Sequence, residues 1–72
     1  MKAKISIIEC CYSDETTGEI LFKFKDARKT LRKGHELRGI VTTRDGKKIR
    51  TSPIVSIKKN YIETRNSFYV FA

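Results

Sequence analysis

The chemistry available to this chain is mostly cationic: sixteen lysines and arginines stand against eight carboxylates in 72 residues. Their spacing sorts them into two groups. Arg28, Lys29, Arg32 and Lys33 crowd one short segment, while Lys47, Lys48, Arg50, Lys58 and Lys59 fall on hairpin tips and outward strand positions further on. Tips of neighbouring hairpins at one end of a small barrel would merge the second group into a patch. By alternation, Tyr61, Tyr69 and Phe71 lie on the face opposite Ile62, Phe68 and Val70. Cations interleaved with exposed rings are what a nucleic-acid strand requires, cations for phosphate and π-faces for bases. Burial in a second core layer competes for the same rings; it suits Phe71 best, and Tyr61 is the ring grouped with the basic set.

Enzymatic chemistry lacks its parts. His35, the single histidine, sits in a basic loop with no carboxylate placed to orient it, so no Ser-His-Asp set arises. Glu9, Asp14, Glu15 and Glu19 cluster around a turn and read as a solvated loop rather than a catalytic pair. Gly34, Gly39 and Gly46 do not form a phosphate-cradling loop. Cys10 and Cys11 are adjacent, so they bridge only with strain, and Glu9 beside them disfavours a thiolate. One histidine and two cysteines fall short of a zinc site. The expectation is a non-enzyme with no cofactor and no metal.

The charge is unevenly spread. Residues 1–22 set two lysines against four carboxylates, a net of −2, whereas residues 23–72 set fourteen bases against four acids, a net of +10. An overall +8 favours phosphate polymers, acidic protein surfaces or anionic lipid heads as partners, with plain solubility as the competing explanation. No apolar run reaches the length of a membrane span, and Met1 to Ile8 is too short for a signal h-region. The expected location is the cytoplasm, in keeping with unpaired thiols.

The elements that must carry these groups read as strands. Leu37 to Thr51 is two extended runs joined at Asp45-Gly46, a strong hairpin signal. Leu37, Gly39, Val41 and Thr43 share one face. A three-residue loop, Asp45-Gly46-Lys47, sets Thr43 opposite Ile49 and Val41 opposite Thr51, keeping the apolar set together. Residues 2–12 form a first strand in which Ile7-Ile8 blurs the buried face. Glu19 to Lys25 forms a second, with Ile20, Phe22 and Phe24 inward, and the two make a hairpin. Residues 26–33 read either as a short helix capped by Asp26 and closed by Gly34, with Ala27 and Leu31 docking, or as a non-helical excursion. Pro53 marks a bend that lets one strand serve both halves of a closed sheet. Beyond it Val55 and Ile57 face inward, Asn60 is suited to a left-handed turn, and Ile62-Thr64 and Phe68-Val70 supply the inward positions of two final strands. The fold class is all-β: one domain, a small antiparallel five- to six-stranded twisted sheet or open barrel, SH3-like or OB-like, with one short helix at 26–33 as an option.

The run Gly46 to Val55, followed by Ile62 to Val70, resembles a pattern in short, mostly uncharacterised proteins of bacteriophages and mobile elements. The resemblance implies a phage-type accessory protein that binds and inhibits a host or defence component, and it assigns no residue a role. Two functions therefore stand side by side. One is a basic module contacting the nucleic-acid phosphate backbone without strong sequence specificity. The other is a protein-interaction module or inhibitor contacting an acidic surface. A homodimer through a strand edge is compatible with either.

Overall fold

The computed structural model describes residues 2–72. Six strands and one helix follow in the order β1 (Ala3–Asp14), β2 (Ile20–Leu21), α1 (Phe24–Arg32), β3 (Leu37–Thr43), β4 (Lys48–Ile57), β5 (Tyr61–Thr64) and β6 (Ser67–Phe71). The sheet order is β2-β1-β3-β4-β5-β6, and β1 also pairs with β6, so the sheet closes on itself. An up-and-down path of five strands must close on a parallel pair, and Ala3 to Ile7 lie parallel to Ser67 to Phe71. The small all-β architecture expected from the sequence is thus present, closed rather than open.

Closure depends on two strands that each work twice. Residues 3–7 of β1 pair with β6, and from Ile7 to Asp14 the same strand pairs with β3. β4 likewise pairs with β3 up to Pro53 and with β5 from Ile54. Each crossover carries an irregularity. An extra residue, Ile8, interrupts β1 between Ile7 and Glu9, and Val55 interrupts β4 between Ile54 and Ser56. A bulge bends a strand and reverses which residues face inward. Hence Ile5 and Ile7 face the core before the first bulge, and Tyr12 and Asp14 after it. Pro53 stands at the β4 bend, as its missing amide proton predicts.

The inward assignments in β4 and β6 differ from those expected. Val55 is exposed and Ile54 takes its place in the core beside Ile57, because the extra residue shifts the phase. In β6 the phase is opposite to expectation: Tyr69 is buried against Ile62, while Phe68 and Val70 lie outside opposite Glu63 and Tyr61. With Ser67 also buried, the tight β5–β6 turn sets this phase; Thr64 Oγ1 donates to the Ser67 carbonyl at 3.1 Å and accepts from its amide at 3.2 Å. The core comprises Ile7, Tyr12, Ala27, Leu37, Val41, Ile54, Ile57, Ile62 and Tyr69.

In the β3–β4 hairpin the loop is Arg44-Asp45-Gly46, one residue earlier than expected. Thr43 N donates to Lys47 O at 2.8 Å and Gly46, at φ +88°, donates to Thr43 O at 3.0 Å. Val41 therefore faces Ile49, not Thr51. The shift is two residues in the pairing, so the face shared by Leu37, Gly39, Val41 and Thr51 survives. Asp45 accepts from the Thr43 hydroxyl and the Lys47 amide, and these bonds hold its carboxyl below the usual range.

The second strand shrinks to Ile20–Leu21, and the helix begins at Phe24 rather than Asp26. Phe24, Ala27 and Leu31 have the i, i+3, i+7 spacing of one helical stripe, and all three pack on the core. That burial draws Phe24 out of the strand pattern, in a segment of good helix formers. Lys23 is the N-cap and makes no side-chain cap bond; Asp26 instead sits in the first turn, where its charge suits the helix dipole. The C-terminus ends as expected. Gly34, at φ +88°, donates to Leu31 O at 3.0 Å and His35 N donates to Thr30 O at 3.4 Å, the double closure of a Schellman motif. Asn60, by contrast, does not adopt the left-handed conformation.

Candidate nucleic-acid interface

Docking α1 onto the sheet decides which basic residues meet. With Ala27 fully buried and Leu31 packed on the core, Arg28 and Arg32 flank the inner stripe. They line one groove together with Leu31, Val55, Ser56, Ile57 and Lys58 from the far end of β4. A neighbouring concavity along the helix is lined by Phe24, Lys25, Asp26, Arg28, Lys29 and Arg32. A third opens at the barrel mouth between Cys10, Tyr12, Phe22, Phe24, Lys59 and Phe71. The first two share Arg28 and Arg32 and the last two share Phe24, so the three follow one another as a band around α1. The Arg28 guanidinium rests 5.4 Å from the centroid of the Phe24 ring, which holds it near the surface in a fixed direction. Lys33 is the C-cap, where a cation complements the carbonyl end of the helix.

The second expected group divides. Lys47 and Lys48 lie at the β3–β4 tip and Lys58 and Lys59 at the β4–β5 turn, which are opposite ends of the ten-residue β4. Successive hairpins of an up-and-down sheet turn at alternate ends, so the merging of these tips into one patch is not realised. Arg50 is further set apart by an ion pair with Glu15, which also meets Arg38 Nε at 3.3 Å. Among the described residues, Arg28, Lys29, Arg32, Lys33, Lys47, Lys48, Lys58 and Lys59 make no ion pair. The remaining pairs are Lys2 with Glu63 and His35 with Asp14.

Tyr61 lies on the outer face of β5, edge-on to Phe68 at 5.9 Å between centroids, with Lys4 and Val70 beside it. It is thus on a different surface from the helix cations, although Lys58 N donates to its carbonyl across the turn. Tyr69 is in the core. Phe22, assigned to the interior by strand alternation, is instead 74% exposed at the mouth, and Phe24 and Phe71 line the same opening. The helical stripe Phe24-Ala27-Leu31 was the sequence signal that could have moved Phe24, and Phe22 before it, out of a strand.

His35 does have an orienting carboxylate. Asp14, with its side chain only 2% exposed, lies 3.1 Å from His35 Nδ1. It also accepts from Thr16 N at 2.9 Å, Thr17 N at 3.3 Å and Thr17 Oγ1 at 2.9 Å. Burial pushes this carboxyl up, but the bonds from His35, Thr17 and Thr16 outweigh it and hold it below the ordinary value. The aspartate followed by two threonines and Gly18 is an Asx-turn signature that reads as a solvated loop only if nothing covers it. Here it ties the β1–β2 turn to the segment after α1. Cys10 behaves as expected for a structural thiol: burial first, then Cys11, pushes its pKa up to about 12. Burial likewise raises Tyr12.

Among the described residues no group of three or more His, Cys, Asp or Glu is arranged to hold a metal ion, and no helix is long and apolar enough to cross a membrane. Comparison with protein-family models, curated proteins and solved structures returned no match.

Proposed function

We propose that this protein binds the phosphate backbone of nucleic acid through the band around α1, without strong sequence specificity. The observation that carries the reading is the convergence of Arg28, Arg32 and Lys58 on one groove, none of them neutralised by a carboxylate of the described chain. Lys25, Lys29, Lys33 and Lys59 extend the positive surface on either side. Arginine suits this task because its planar fork of donors matches two phosphate oxygens at once.

Fluorescence anisotropy with labelled oligonucleotides over a salt series tests it. Four phosphate contacts, from Arg28, Lys29, Arg32 and Lys58, give a slope of log K against log salt of about −3.6 on duplex and about −2.8 on a single strand. Charge reversal of Arg32 and Lys58 together flattens that slope and removes most of the affinity. Absence of binding to any oligonucleotide at low salt overturns the reading. So does a nuclease-resistant complex with an acidic protein that these two substitutions abolish while oligonucleotide affinity is unchanged.

A further inference from the structure

Resting on the reading above, we infer that the strand held by this band is single-stranded, with one unpaired base seated on Phe22 and Phe24 at the barrel mouth. The mouth is the aromatic end of the basic band. Tyr12, Phe22, Phe24 and Phe71 line it together with Cys10 and Lys59. Phe24 belongs at once to the mouth and to the helix concavity that holds Arg28, Lys29 and Arg32. A backbone lying along those cations therefore passes the rings within the reach of one nucleotide.

Phe22 is the most exposed large apolar side chain of the described residues, at 74%. Two cations stand near it: Lys23 follows it in the chain and Lys59 lines the same opening. An apolar partner surface would have to desolvate these cations. A second copy of the chain would bring another +8 against them. An unpaired nucleotide satisfies both features, since its phosphate meets Lys59 and Arg28 while its base covers the ring. A duplex cannot do so, because its bases are stacked inside two backbones and present no π-face to a recess. Stacking is sequence-tolerant, which agrees with binding without strong sequence specificity.

The test compares a short oligothymidylate with a duplex of equal phosphate count, using wild type, Phe22→Ala, Tyr61→Ala and the Arg32→Glu/Lys58→Glu pair. Because Phe22 contributes little to the core, the alanine variant keeps its fold, which circular dichroism and a thermal melt verify. The expected result is tighter binding of the single strand by wild type. Phe22→Ala loses about 5- to 160-fold on oligothymidylate, the range for removing one stacked base, with the salt slope and duplex affinity unchanged. Tyr61→Ala leaves binding as it was. Equal affinity of Phe22→Ala and wild type for the single strand overturns this inference and leaves phosphate binding standing. A loss at Tyr61 with none at Phe22 also overturns it, by moving the base to the outer face of β5. Failure of wild type to bind either oligonucleotide removes the underlying reading, and this inference with it.

Discussion

Gly39 sits where three strands crowd together, and replacing it by alanine tests the packing that closes the barrel. A Cβ built there lies 3.3 Å from Cys10 Sγ and 3.3 Å from Thr51 Cγ2, tighter than the usual 3.5–4.0 Å between carbon atoms. Its backbone is not in the left-handed region, so the substitution costs nothing in φ and gains about 0.4–1 kcal/mol from a less flexible unfolded chain. Overpacking costs about 1–3 kcal/mol where neighbours cannot move. Thr51 cannot rotate away. Its hydroxyl accepts from Gly39 N at 2.9 Å and donates to Ser52 O at 2.7 Å, which fixes the methyl toward the new Cβ. The net expectation for Gly39→Ala is a loss of about 1–2 kcal/mol. For a domain of this size that corresponds to a fall in Tm of roughly 6–13 °C. Thr51→Ser keeps both hydrogen bonds and removes only the obstructing methyl. The double variant should therefore be more stable than the sum of the single changes, by about 0.5–1 kcal/mol in a double-mutant cycle. Urea unfolding with a constant m-value provides the measurement. Additivity to within about 0.3 kcal/mol would refute the claim that Thr51 is the immovable neighbour.

Three further outcomes follow from the geometry. Asp14 has a folded pKa below its unfolded value of 3.8, so its stabilising contribution is complete above about pH 4 and is lost as pH falls through the lower folded value. Urea midpoints measured from pH 7 downward should show wild type ahead of Asp14→Asn at neutral pH and the gap closing in acid; a gap independent of pH contradicts the assignment. Cys10, with its thiol pushed up to about 12, should resist iodoacetamide near pH 8 in the native protein and react once unfolded in urea, as peptide mass spectrometry would reveal. Charge reversal at Lys47 and Lys48, where β4 begins, should lower oligonucleotide affinity much less than reversal at Arg32 and Lys58, by gel shift at equal ionic strength. Equal losses at the two ends would point to a diffuse positive surface instead of a band.

Much of the architecture was legible because alternation is a local property. The stripe Leu37-Gly39-Val41, the presence of a hairpin turn at Asp45-Gly46, the bend at Pro53 and the helix stop at Gly34 each follow from residue type and spacing within a few positions. What alternation could not reveal is where its own phase is reset. Ile8 and Val55 are extra residues only in relation to the strands they face, so their exposure depended on pairing partners far along the chain, while the phase that puts Tyr69 inside was set by the turn between Thr64 and Ser67. The hairpin register shows the same limit: a shift of two preserves every face, and the hydrophobic pattern has no means of choosing between the two loops.

The candidate interface divides along the same line. Sequence alone determined that the chain after residue 22 carries +10 and that Arg28, Lys29, Arg32 and Lys33 must stay together, since they share two turns of backbone. Tertiary structure decided which distant cations join them. It brought Lys58 and Lys59 to the helix and sent Lys47 and Lys48 to the other end of β4. It also placed Glu15 on Arg50 and Asp14 on His35, contacts that no sequence spacing announces. The physical reason is that charge is carried by composition, while the position of a charge in space is fixed by the burial of apolar neighbours such as Ala27, Leu31 and Ile57. Those neighbours found their partners only when the barrel closed.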